Sequence, residues 1–78
     1  MRRKERHLVI SFEATTMAMM MEELCKKQHM PGRIIPLPPV ISAGCGLAWM
    51  AEAENEKMWE AFMQEHGIVS ESIQFVEI

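Results

Sequence analysis

Apolar and polar residues alternate near both ends of the chain, a pattern typical of β-strands. Over residues 7–12 the alternation places Leu8, Ile10 and Phe12 on one face, which predicts a strand that buries that face. Residues 73–78 alternate in the same way and predict a closing strand. The chain is therefore expected to begin and end in a sheet.

A helical pattern follows the first strand. Thr15 or Thr16 is predicted to cap the helix by accepting a backbone N–H bond in its first turn. Residues 31–32, Pro-Gly, are predicted to stop it. The stripe expected to face the core recurs at spacings of three and four and comprises Met17, Met20, Met21, Leu24 and Gln28.

The middle of the chain is rich in proline and small residues. Residues 33–37 predict a second strand, but Pro36, Pro38 and Pro39 lack the N–H that a ladder needs, so this strand should be short or lie at an edge. Residues 40–46 predict a loop. Residues 47–51 predict a third strand, although the stretch 47–54 could equally begin or extend a helix.

A second helix is predicted from about Asn55, and Gly67 stands where a glycine commonly ends a helix. Its apolar side comprises Met58, Trp59, Phe62 and Met63. The predicted fold is α+β with βαββαβ order. A ferredoxin-like split βαβ arrangement buries these faces, with one antiparallel sheet and two helices on one face.

Composition limits the classes of function. The 78 residues are 49% hydrophobic and 24% charged with a net charge of −3, which indicates one small globular domain over 1–78. Residues 1–6 are interpreted as a flexible basic arm, and the acidic balance argues against nucleic-acid binding. The apolar runs are too short for an export signal or a bilayer, so no membrane contact and a cytoplasmic location are expected.

The spacing of the methionines, cysteines and histidines does not predict a metal site. The nine methionines are interpreted mainly as core residues, with a self-association face left open. Cys25 and His29 are four apart on the predicted helix, but a structural zinc site needs four ligands. Cys25 is therefore interpreted as a core residue with no assigned role, His66 as a helix-end residue, and no metal or resident cofactor is expected.

Cys45 lies between Gly44 and Gly46, after a stiff strap that contains Pro36 and Pro38. Glycines on both sides remove bulk beside the sulfur, and backbone N–H groups could stabilise a thiolate or a persulfide. Glycines also shape many ordinary turns. From the residues alone, a reactive thiol and a turn residue are equally supported.

A resemblance changes that balance. The residues that carry it are the strand with Phe12, the helix with Glu22 and Glu23, the strap Ile35–Pro38, and Ile41-Ser42 leading into Gly44-Cys45-Gly46-Leu47-Ala48. Over nearly its whole length the chain resembles a small bacterial family of selenium/sulfur carrier-like proteins, formerly a domain of unknown function. Members often have a basic residue after the second strap proline, where this chain has Pro39.

The resemblance implies a carrier rather than an enzyme. Cys45 would accept sulfur or selenium as a covalent persulfide or selenyl sulfide, within the motif loop of Ser42, Gly44 and Gly46. Donor and acceptor proteins would then be its partners. Which chalcogen is carried, which proteins those are, and whether Pro39 abolishes activity stay open.

Two alternatives remain. The chain could be a non-catalytic interaction module that pairs through a sheet edge or a Met-rich face, with Cys45 as a turn residue. It could also be a thiol redox protein in which Cys25 resolves an oxidised Cys45, which requires the two residues to lie close together.

Overall fold

The computed structural model describes residues 5–41, 46–53 and 56–78. The elements follow in the predicted order of strand, helix, strand, strand, helix, strand. Their bounds are β1 Arg6–Ser11, α1 Thr15–Lys27, β2 Arg33–Pro36, β3 Leu47–Glu52, α2 Glu56–His66 and β4 Ser72–Glu77. The stretch after residue 46 is therefore a strand, not the start of a helix.

The four strands form one antiparallel sheet in the order β2-β3-β1-β4. β1 and β2, which α1 connects, run parallel with β3 between them. β3 and β4, which α2 connects, run parallel with β1 between them. Two interleaved split βαβ units result, so the predicted ferredoxin-like α+β arrangement is confirmed.

The main core lies between one face of the sheet and both helices. The sheet contributes the predicted face of β1 together with Trp49 and Ala51. The helices contribute Ala18, Met21 and Cys25 from α1, and Trp59, Phe62 and Met63 from α2. Both helices thus cover the same side of the sheet, as predicted.

The stripe of each helix differs in part from the prediction. Met20 and Met58 were expected in the core, but each is 36% exposed. Ala18 is buried instead, together with Met21 and Cys25. The face of α1 that meets the sheet is therefore rotated from the predicted stripe toward the side of Ala18. Most of the predicted apolar side of α2 is buried.

The opposite face of the sheet has a smaller core that the pattern did not predict. Val9, Ile41 and Ala48 are buried there, with Ile35, Leu37 and Val76 packed against them. Two of these residues, Leu37 and Ile41, come from the segment that leaves the edge strand β2. This segment therefore folds back over the sheet and covers a face that the helices leave open.

Both ends of α1 differ from the prediction. The N-cap is Ala14 and no side chain caps the helix, so the assignment to Thr15 or Thr16 is wrong. The helix ends at Lys27, four residues before the proline, because His29 adopts a left-handed conformation with φ 54°. The Met30 N–H then donates to the Cys25 carbonyl at 2.9 Å, and this bond satisfies an orphan carbonyl in a Schellman motif.

The sheet takes in part of the predicted arm. Glu5 and Ile78 exchange two backbone hydrogen bonds, and β1 begins at Arg6. The Arg6 guanidinium lies 4.2 Å from the centre of the Phe75 ring. Residues 1–4 lie outside the described part of the chain.

Gly32 lies directly against the third strand. It has φ 117°, and a Cβ atom there would stand 2.6 Å from both the Met50 carbonyl oxygen and Trp49 Nε1. Gly67 also has a positive φ, 71°, but a Cβ atom there would meet nothing within 4 Å. Only the first glycine is required for space as well as for conformation.

Replacing Gly32 by alanine should therefore destabilise the fold more than replacing Gly67. We expect Gly32→Ala to lower the free energy of unfolding by about 2–4 kcal/mol, from overpacking added to a strained backbone. Gly67→Ala, the matched control, should cost about 1–2 kcal/mol from strain alone. Urea unfolding followed by tryptophan fluorescence measures both, and equal losses would contradict the packing argument.

Candidate functional site

The predicted reactive residue, Cys45, and its neighbours Ser42 and Gly44 lie outside the described residues. Gly46 is described and begins the return to the sheet. The structure therefore describes the chain on either side of this site, up to Ile41 and from Gly46 onward.

A backbone hydrogen bond joins the chain before the site to the chain after it. The Leu37 N–H donates to the Gly46 carbonyl at 2.9 Å, one residue beyond the last paired position of β2 and β3. The Ile41 N–H donates to the Pro38 carbonyl at 3.0 Å, which closes a turn. Ile41 is 5% exposed and packs on Val9. The chain is thus held before residue 42 by a hydrogen bond and by the burial of Ile41, and after residue 45 by the hydrogen bond to Gly46.

The strap prolines have different positions. Pro36 is the last residue of β2, at the edge of the sheet, as its missing N–H predicts. Pro38 is buried and supplies the carbonyl of the turn. Pro39, at the position where family members often have a basic residue, is exposed. Pro36 and Pro38 therefore hold the chain that leads to Ile41, and Pro39 faces solvent.

Gly46 adopts φ 72°, in the left-handed region, and nothing lies within 4 Å of a Cβ atom built there. Conformation, not space, therefore requires glycine at this position. The prediction that the glycines permit unusual backbone geometry is confirmed for Gly46, the one of the two that the structure describes.

The strand directions place other polar groups at the same end of the sheet as Gly46. Ser11 lies opposite Ala48 in the sheet, and its Oγ lies 2.5 Å from the Ser72 Oγ. The Gln74 side chain also donates to the Ser72 hydroxyl, at 3.2 Å. Ser11 is fully buried, so this pair satisfies a buried hydroxyl and has a structural role.

The sequence interpretation missed a groove beside the strap. It has a volume of about 820 Å³ and lies on the sheet face opposite the helices. His7, Arg33 and Met50 line it on the sheet side, and residues 36–39 line it on the loop side. The alternation of β1 could have indicated it, because His7 and Val9 must face away from the helices.

Cys25 is a core residue, as predicted, and only 1% exposed. Burial raises the pKa of its thiol to about 11, so the thiol is protonated at neutral pH. A resolving cysteine needs an accessible thiolate, so this environment counts against the redox alternative.

The histidines do not form a metal site with Cys25. His29 lies beyond the end of α1 and does not share its face, contrary to the expectation from spacing. The His66 ring packs on Phe62 and hydrogen bonds through Nε2 to the Gln28 side chain at 3.1 Å. Among the described residues no three His, Cys, Asp or Glu side chains are placed to hold a metal ion.

The model of the family described as Putative Se/S carrier protein-like matches residues 7–74, and the chain belongs to this family. The comparisons with curated proteins and with solved structures give no match. No helix in the described ranges is long and apolar enough to cross a membrane.

The buried thiol should be almost unreactive in the folded protein. In a Cys45→Ser variant, iodoacetamide should label Cys25 slowly at neutral pH and much faster in urea, because folding both covers the thiol and raises its pKa. The thiol should also make stability fall as pH rises from its ordinary pKa of 9.0 toward 11, because the unfolded chain ionises first. Equal labelling rates with and without urea would contradict this assignment.

The burial of Ile41 should contribute to the free energy of unfolding and should protect the nearby Leu37 amide from hydrogen exchange. Ile41→Ala should cost about 2–4 kcal/mol, because it removes a buried side chain from the smaller core. The neighbouring Val40 is 75% exposed, so Val40→Ala should change stability by no more than about 0.5 kcal/mol. Hydrogen exchange at the Leu37 amide should speed up only in Ile41→Ala, and unchanged exchange would show that the loop is held in another way.

Proposed function

We propose that this protein carries a sulfur or selenium atom on Cys45 and passes it to an acceptor protein. The observation that carries the proposal is the family match, because the matched residues 7–74 include the block Ser42–Gly46. The described geometry supports it, since the loop leaves and re-enters the fold at fixed points.

The loading step needs only one thiolate on this chain. The Cys45 thiolate attacks the outer sulfur of a donor persulfide, and a new S–S bond forms as the donor thiolate leaves. With a selenium donor, the thiolate attacks selenium and forms an S–Se bond. The inserted atom keeps its oxidation state and no external oxidant or reductant is consumed.

The delivery step reverses these roles. A thiolate of the acceptor attacks the outer sulfur or selenium, the bond to Cys45 breaks, and the Cys45 thiolate is released. The described residues supply no second nucleophilic thiol, since Cys25 is buried and protonated. Both exchange partners are therefore proposed to be separate proteins, in the cytoplasm.

Pro39 bears on how those partners are recognised. It is exposed beside the groove, where a basic side chain would add a positive charge to the surface. Arg33 lines the same groove, as does the acidic Glu5, so the groove has one arginine and one carboxylate without any charge at position 39. We propose that partner contact in this chain depends on groove shape and Arg33 rather than on a charge at position 39.

Loading can be tested with glutathione persulfide as donor. The wild-type protein should gain the mass of one sulfur atom, and Cys45→Ser should gain none while keeping its unfolding free energy. Cys25→Ala, the matched control, should load normally, because that thiol is not accessible. Intact-mass spectrometry after removal of the donor gives the result.

The same experiment separates the carrier from the interaction module. Loading that survives Cys45→Ser, or that is lost in a folded Cys25→Ala protein, would refute a carrier working through Cys45. An unreactive Cys45 in the folded wild type would make it a turn residue, and the interaction module would then be the better account.

A further inference from the structure

The two edges of the sheet differ in their protection. The outer edge of β2 is four residues long and ends in Pro36, so it offers few donors to another strand. β4 is six residues long and has no proline or lysine. Within the described ranges it pairs only with β1. Natural sheets usually blunt such an edge, so an unblunted one indicates a strand-pairing site.

The hydrogen-bond pattern shows which groups this edge presents. Glu5 and Ile78 exchange both backbone hydrogen bonds, so Ile78 points its polar groups toward β1. In an antiparallel pair this direction alternates along the strand. Ile73, Phe75 and Glu77 therefore direct their N–H and C=O groups away from β1, toward the free edge.

These three residues form a self-complementary set. When two copies of β4 pair antiparallel with Phe75 opposite Phe75, Ile73 of each copy lies opposite Glu77 of the other. All outward donors and acceptors between residues 73 and 77 are then satisfied. A shift of two residues that sets Ile73 against Phe75 would also set Glu71 against Glu77, two like charges, and is therefore disfavoured.

The exposed side chain of Phe75 favours the same register. Phe75 is 37% exposed and lies beside Leu8, its partner in β1. The pairing would therefore extend an apolar row from Leu8 through both Phe75 rings to Leu8 of the second copy. Arg6 lies over the Phe75 ring and is opposite Glu77 in the sheet, so each copy has a cation on the strand next to that carboxylate.

We propose that β4 binds a second copy of this chain, with a two-fold axis at Phe75, and that the two sheets join into one of eight strands. A two-fold axis makes each copy's edge the partner of the other, which fits a set of groups that complements itself. This proposal is independent of Cys45 and of the carrier function.

Sedimentation equilibrium tests the dimer. The wild type and Cys45→Ser should both dimerise, and Phe75→Pro should shift the dimerisation constant at least tenfold toward monomer. Proline removes an N–H that points away from β1, so the bonds within the chain should remain. Gln74→Ala is the control, because the backbone of Gln74 points toward β1. A monomeric wild type, or a folded Phe75→Pro protein that dimerises normally, would overturn the proposal.

Cross-linking tests the register even if the proline variant fails to fold. In the Cys45→Ser background, Phe75→Cys should form a disulfide-linked dimer under mild oxidation, because facing residues in a hydrogen-bonded pair have Cα atoms about 5.5 Å apart. Ile73→Cys should not, because the two introduced thiols would lie at least about 13 Å apart along the strands. Cross-linking of both variants, or of neither, would overturn this register.

Discussion

The structure depends on the burial of β1 from both sides. Each residue from Leu8 to Phe12 is fully inaccessible to solvent, although successive side chains point to opposite faces of the sheet. A strand of this kind needs two covers. The helices supply one, through the cluster around Trp59 and Met21, and the segment between β2 and β3 supplies the other through Ile41.

This constraint also determines how the chain is held on either side of the candidate site. Leu37 and Ile41, in the segment that leaves β2, are part of the second core. The burial that completes the core also fixes where the loop begins, and the hydrogen bond between Leu37 and Gly46 fixes where it closes. The stability of the fold and the positions of Ile41 and Gly46 therefore depend on the same contacts.

The fold alone does not assign a function, because ferredoxin-like arrangements serve many chemistries. The assignment comes from the family and from the contrast between two cysteines. Cys25 is buried in the main core with a raised pKa, so folding suppresses its chemistry. Cys45 stands between two glycines in the sequence, and the proposed exchange needs an approachable thiolate at that residue.

The sequence by itself determined the order of the elements other than β3, the face of β1 that is buried, and the limited pairing of the proline strand, because these follow from local periodicity and from the missing proline N–H. The motif around Cys45 was also visible in the sequence. Only the tertiary structure decided that Leu37 and Ile41 cover the second sheet face, that Ala18 and not Met20 meets the core, and that His29 ends the first helix. Those outcomes depend on helix rotation and on contacts between residues distant in the chain, such as Ile41 with Val9, which local periodicity does not encode.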